Sequence, residues 1–296
     1  MVPNFQAVDE PKMSELKIDA EIRTRLREAL LEDIGEGDLT TQATVAAGVR
    51  ARGRVRAKAE GVFCGFPVFQ EIYRLLDEEL GTRSFVKEGE IVAEGTLVAE
   101  VTGEARQILH GERLALNLLG RMSGVATLTR QMIDRMNRPG TALLDTRKTL
   151  PLWRSLDKYA VRAGGGQNHR CGLYDMILIK ENHIALAGGI RPAIEAAKAQ
   201  RPEGVLIEVE AQTLAQVQAA LEAGPDLLLL DNFTVGQLRE AVQCAGGRVE
   251  LEASGGISLN TIEEIAATGV DRISVGALTH SARALDLSMK VKPLSE

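Results

Sequence analysis

Cysteine is scarce in this 296-residue chain. There are three, Cys64, Cys171 and Cys244, isolated from one another and without CxxC spacing. Such a scattered, odd-numbered set supports neither a disulfide framework nor a zinc site, and it fits a reducing cytoplasm. Aromatic residues make up only 3% of the chain. No apolar run approaches the roughly 18 residues that a membrane span needs. The opening stretch, MVPNFQAVDEPK, lacks the basic-then-apolar pattern of a secretory signal. Positive charge is in deficit, with 35 Lys and Arg against 41 Asp and Glu and a formal net charge of −6. That balance argues against a general nucleic-acid surface. The chain also has no GxxxxGKS/T loop and no GxGxxG after a strand, so neither common nucleotide-binding loop is available.

Small and aliphatic residues are plentiful. The chain is 45% apolar and holds 29 glycines, which suits the many tight strand–helix turns of an α/β fold. Residues 17–32 carry apolar side chains at helical spacing and predict an amphipathic helix, which GEGDLTT (35–41) then breaks. Residues 50–63 alternate charged and apolar, as in a strand with one wet face. A turn and helix at 65–80 and several short strands across 84–109 complete an irregular, α+β half. A long helix over about 107–138 follows, with a bend expected near Gly120–Gly124.

Six apolar runs come next: 141–146, 174–180, 204–210, 226–232, 248–254 and 271–277. Helical segments follow most of them. That alternation predicts right-handed βαβ units and a parallel sheet, either an open doubly wound sheet or a barrel. Alternation along a strand puts Glu208 with Glu210 on one face, and Glu250 with Glu252 and Ser254 on another. Charges there suit a barrel mouth better than a sheet covered by helices on both sides. The favoured fold is therefore a six-stranded, TIM-like α/β barrel whose active face lies at the carboxyl ends of the strands, with an N-terminal α+β sandwich domain.

Against the net negative charge, seven Lys or Arg and only two acids fall between Arg147 and Lys180. Arg154, Lys158 and Arg162 repeat at helical spacing, which predicts a solvated helix face. Arg147, Lys148 and Lys180 end strands, and His169 and Arg170 follow the flexible Gly164–Gly166 run. These five are candidates for binding an anion with several charged groups, since Arg forks match carboxylate or phosphate and Lys adds a point charge. Glu210 and Asp231 end two further strands. They either pair with the basic residues or hold Mg²⁺ and sugar hydroxyls. The ASGGI (253–257) and SVGALTHS (274–281) turns follow late strands, where barrels build phosphate sites from backbone N–H groups. His110 and His183 have no metal-ligand spacing and are read as structural.

These stretches together resemble a known family. HGERLALNLLGRMSGVAT (110–127), DTRKTLPLWRSLDKYAVRAGGGQNHR (145–170), LIKENHI (178–184), IEVE (207–210), LLLDN (228–232) and EASGGI (252–257) are similar to quinolinate phosphoribosyltransferases, and LEDIGEGDLTT (31–41) fits that family's N-terminal motif. The resemblance implies a pentosyl transfer. Quinolinate and phosphoribosyl pyrophosphate (PRPP) give nicotinate mononucleotide, pyrophosphate and CO₂, with Mg²⁺, in de novo NAD synthesis.

It also implies roles by matching motif. Arg147, His169 and Arg170 would grip the two carboxylates of quinolinate, with Lys180 between the two ligands. Lys148 would contact PRPP and its leaving pyrophosphate. Glu210 and Asp231 would hold ribose hydroxyls and Mg²⁺, directly or through water, and stabilise an oxocarbenium-like transition state. Ser254, Gly255, Gly256 and Gly276 would cradle the 5′-phosphate. Arg113 would enter the site of a neighbouring subunit, making a homodimer obligatory and leaving a hexamer open. The expected division is residues 1–117, joined by 281–296, for the α+β part and 118–280 for the barrel. A Schiff-base lyase using Lys180 and a nicotinate-specific transferase are the rival enzyme readings. An oxyanion-binding relative lacking the two acids is the non-enzymatic one.

Overall fold

The computed structural model describes residues 15–294, so the MVPNFQAVDEPK stretch lies outside the described residues. The chain begins with α1 (Ala20–Ile34). Asp19 caps it, accepting from the Ile22 N–H, and Ile22, Leu26 and Leu30 form its buried stripe. The expected break is shorter than 35–41. Asp38 accepts the Thr41 N–H at 2.9 Å and starts a second helix, α2 (Leu39–Thr44). The Asp at the end of GEGD is thus a cap rather than part of the loop.

Next come β1 (Arg50–Ala57), β2 (Gly61–Val62), α3 (Phe66–Leu76), β3 (Gly81–Ser84), β4 (Ile91–Val92), β5 (Leu97–Glu104) and α4 (Ala105–Met136). In β1 the residues Ala51, Gly53, Val55 and Ala57 are buried, while Arg50, Arg54 and Arg56 are exposed. The period-two pattern of RARGRVRA is what fixes this register. The antiparallel sheet runs in the order β12-β1-β5-β3, its first strand being β12 (Leu287–Pro293) from the far end of the chain. α4 passes without interruption through the expected boundary at 117/118.

α4 is also unbroken at Gly120–Gly124. The two glycines serve close approach. A Cβ at Gly120 would lie 2.9 Å from the Leu285 carbonyl oxygen, and one at Gly124 only 2.0 Å from that of Arg283. The Leu285 N–H donates to the Gly120 carbonyl at 2.8 Å. Gly124→Ala should therefore destabilise the protein by about 1–3 kcal/mol, as overpacking does, despite the roughly 1 kcal/mol of helix propensity that Ala gains over Gly. Denaturant unfolding measures it, and an unchanged or raised midpoint would remove the packing role.

The second half contains β6 (Ala142–Leu144), α5 (Arg154–Ala163), β7 (Ile177–Ile179), α6 (Glu181–Leu186), α7 (Ile190–Gln200), β8 (Ile207–Ala211), α8 (Leu214–Ala223), β9 (Leu227–Asp231), α9 (Val235–Ala245), β10 (Glu250–Ser254), α10 (Ile262–Ala266), β11 (Arg272–Ser274) and α11 (Ala277–His280). The six strands are parallel, in the order β6-β11-β10-β9-β8-β7. From β7 to β11 every strand lies beside its successor, and the first strand, β6, pairs with the last. A doubly wound sheet would reverse direction at some point. This order winds one way around, as a barrel does. Among the described residues no ladder joins β6 to β7; Leu144 at the end of β6 instead bridges Gln167, in the loop before β7. None of the described helices is long and apolar enough to cross a membrane.

Candidate active site

Register carries the polar residues to one face. Glu208, Leu227 and Glu250 are aligned across β8, β9 and β10, as are Glu210, Leu229 and Glu252; Asp231 aligns with Ser254. The intervening residues Val209, Leu228, Leu230, Leu251 and Ala253 are buried on the opposite face. At the carboxyl end of the strands the polar face opens into a cavity of about 920 Å³. Its wall contains Arg147, Lys148, His169, Arg170, Lys180, Glu210, Asp231, Ser254, Gly255, Gly256 and Gly276. One predicted residue is elsewhere. Arg113 is exposed on α4 and does not line this cavity.

The loop that presents Arg147 and Lys148 is held by its backbone. Asp157 on α5 accepts the Leu150 N–H at 3.0 Å and both arms of Arg121 at 3.0 and 2.8 Å. Arg121 also donates to the Thr279 carbonyl, and the Thr279 hydroxyl donates to the Lys148 carbonyl at 2.8 Å. The side chains of Arg147 and Lys148 remain exposed at the mouth, and among the described residues neither has an ion-pair partner.

α5 differs from the expectation of a solvated basic face. Lys158 is 3% exposed and reaches Asp145, itself 0% exposed, at 2.5 Å. Burial pushes the Asp145 carboxyl up, and Lys158 opposes that shift. Asp145 also accepts the His169 N–H at 2.9 Å and the Asn168 amide at 2.5 Å. Arg162 donates to the Asn168 side chain, while Arg154 donates to Thr149 Oγ1 at 3.0 Å and to the Cys171 carbonyl at 2.7 Å. The loops after β6 and after α5 fold over this face, so its cations tie down the segments bearing Arg147, His169 and Arg170. Helical spacing identifies a face but not what covers it.

Arg170 sits partly buried beside Arg147. Burial, then the Arg147 charge, lowers its pKa. Two neighbouring guanidiniums with no ion-pair partner among the described residues form a wall suited to an anion. His169 is engaged at both ring nitrogens. Nδ1 accepts the Arg170 N–H at 2.8 Å, and Nε2 lies 3.1 Å from Glu208 Oε2 and 3.4 Å from Glu252 Oε1. Burial alone would lower the imidazole pKa, but the two adjoining acids outweigh it and raise it to about 9. Burial likewise raises the Glu208 carboxyl pKa, and the His169 ring opposes that shift.

Across the cavity, Lys180 Nζ meets Glu210 Oε2 at 3.2 Å. Burial and the neighbouring Glu210 charge raise the Asp231 pKa. Two oxygen-donor carboxylates close enough to repel each other make a donor set that fits a hard divalent cation such as Mg²⁺. Asn232, a strand-end residue to which the sequence assigned no role, donates to Asp231 Oδ2 at 2.8 Å and has φ +59°. It leaves no room beside Gly255, where a Cβ would fall 2.2 Å from Asn232 Oδ1. Gly255 (φ +100°), Gly256 and Gly276 with Ser254 line one stretch of wall, joined by His280, which also had no role from sequence. His183 is structural, as expected: it accepts the Lys180 N–H at 2.9 Å and helps cap α6.

The described geometry has relatives. The family model described as quinolinate phosphoribosyl transferase, N-terminal domain, matches residues 38–123, and that for the C-terminal domain matches residues 125–290. The chain is 44% identical over 286 residues to the nicotinate-nucleotide pyrophosphorylase (carboxylating) of Mycobacterium leprae, covering 94% of this chain and 99% of that one. It is 39% identical over 282 residues to a mitochondrial quinolinate phosphoribosyltransferase (decarboxylating) of Nicotiana tabacum, covering 89% and 80%. Among solved structures, NadC from Streptococcus pyogenes superposes with a TM-score of 0.91 at 38% identity, covering 95% of this chain and all of that one.

Proposed function

The chain belongs to the quinolinate phosphoribosyltransferase family, and we propose that it transfers the phosphoribosyl group of PRPP to quinolinate with loss of CO₂, a step of de novo NAD synthesis. The observation that carries this reading is one cavity with unpaired cations on one wall and paired acids on another. A pyridine diacid and a pyrophosphorylated sugar repel each other, and the cations offset that repulsion.

Arg147 and Arg170, with His169 between the barrel core and Arg170, seat the two carboxylates. Lys180 lies between the ligands. Lys148 stabilises charge on the departing pyrophosphate, while Ser254, Gly255, Gly256 and Gly276 surround the 5′-phosphate. Glu210 and Asp231 orient the ribose hydroxyls, hold Mg²⁺ directly or through water, and stabilise positive charge that develops at the ribose carbon. When bound, Mg²⁺ supplies charge neutralisation for the pyrophosphate. Attack by the ring nitrogen makes that nitrogen cationic. The ring then accepts the electron pair left as the adjacent carboxylate leaves as CO₂, and a proton takes the vacated position. Decarboxylation after transfer thus needs no further cofactor. Pyrophosphate release with quinolinate, and none with the monoacid nicotinate, tests the diacid seat.

The same reading makes the enzyme a cytoplasmic homodimer in which the partner's copy of Arg113 completes the site. Arg113 is exposed, away from its own cavity, and has no ion-pair partner among the described residues. Arg113→Ala and Lys148→Ala proteins should each retain about 1% of wild-type activity or less. Mixed and allowed to exchange subunits, they should recover about one quarter of wild-type activity, since half of random dimers then carry one intact site. No recovery, with exchange shown by mass spectrometry, would place Arg113 outside the shared site.

A further inference from the structure

At the floor of the cavity, which Glu252 lines, are two acids that this transfer scheme does not use. Glu208 on β8 and Glu252 on β10 point into the barrel, with side chains 0% and 1% exposed. Barrel interiors are ordinarily filled by layers of apolar side chains. Taking a carboxylate out of water carries a large penalty, and replacing buried charges by neutral groups of similar size is often neutral or stabilising. Fold stability therefore does not account for two of them together. Among the described residues, both Glu208 oxygens and Glu252 Oε1 also lack a well-directed hydrogen bond.

What they face is one edge of one ring. His169 Nε2 lies 3.1 Å from Glu208 and 3.4 Å from Glu252, and Nδ1 accepts the Arg170 N–H. β9 separates the two acids, so the ring is directed from two points rather than one. His169 follows a glycine run; its N–H donates to Asp145 and its carbonyl accepts from Lys158, which leaves the ring itself to be directed by other groups. A continuous strut thus runs from the barrel interior, through the imidazole, to the main chain of Arg170. Resting on the assignment of Arg147 and Arg170 to the quinolinate carboxylates, we infer that Glu208 and Glu252 are positioning residues that fix the His169 ring and, through it, the seat of the diacid.

The test uses Glu208→Gln and Glu252→Gln in the full-length protein. The expected result is a quinolinate KM raised tenfold or more in each, with kcat and the PRPP KM changed less than about twofold and a melting temperature unchanged or higher. A lowered melting temperature with the quinolinate KM unchanged would make the pair merely structural. Equal rises in both KM values would detach it from the diacid. A stoichiometric divalent metal in the wild type, lost in Glu252→Gln, would make the three groups a metal centre instead (a cation there would sit close to Arg170). Calorimetric binding of quinolinate to the same proteins reads the inference without turnover. A wild-type protein that binds quinolinate but does not react it with PRPP would count against the proposed activity and not against this pair.

Discussion

Lys148→Ala lowers turnover by about 10²–10³-fold, the usual cost of removing one preorganised group from developing charge. The geometry makes the change clean. The Lys148 backbone is held through its carbonyl by Thr279, and that bond survives truncation. The stem runs along Gly276, where a Cβ would lie 2.9 Å from Lys148 Cδ. Its ammonium has no acid partner among the described residues to leave uncompensated, so stability should change little. Steady-state kcat with both substrates saturating measures the effect. The quinolinate KM should move far less than kcat, because the charge that Lys148 meets appears mainly as pyrophosphate leaves. Near-normal turnover contradicts the role given to it.

Arg147→Ala acts on binding instead. Losing charge-assisted hydrogen bonds of about 1.5–3 kcal/mol corresponds to a quinolinate KM raised about 10- to 100-fold, with the PRPP KM little changed. Arg147→Lys should recover only part of this, since an ammonium does not reproduce the planar fork. The neighbouring Arg170 is already depressed by burial and by the Arg147 charge, so Arg147→Ala also relieves a repulsion in the empty site. The measured loss should therefore be smaller than the contact itself contributes. A raised PRPP KM with quinolinate binding unaffected would reverse the assignment of the two adjacent cations.

Most of the barrel strands were legible as apolar runs, β8 and β10 as alternating ones, and Lys180, Glu210, Asp231 and Ser254, which end four of them, line the mouth. Three features were not legible, for different physical reasons. The close contacts at Gly120 and Gly124 were hidden, because a sequence does not show that residues 283–285 pack against them. Arg154, Lys158 and Arg162 read as a wet face, because their cover is two loops folded back over the helix. The alternation in IEVE and ELEAS did place Glu208 and Glu252 on inward faces. Their partner, His169, comes from a glycine-following loop remote in sequence, and periodicity carries no information about such a contact. The single strand-end cations were easier, since a charge ending an apolar run is itself the signal.

The central claim is that one cationic mouth brings a diacid and a pyrophosphorylated sugar together and drives off one carboxylate. The most direct measurement follows pyrophosphate and CO₂ in the same reaction, with the purified protein, PRPP, Mg²⁺ and quinolinate labelled in its 2-carboxylate. Equal amounts of both products, each requiring both substrates, are expected. Pyrophosphate released without labelled CO₂, or neither product formed by a folded protein, would contradict the account.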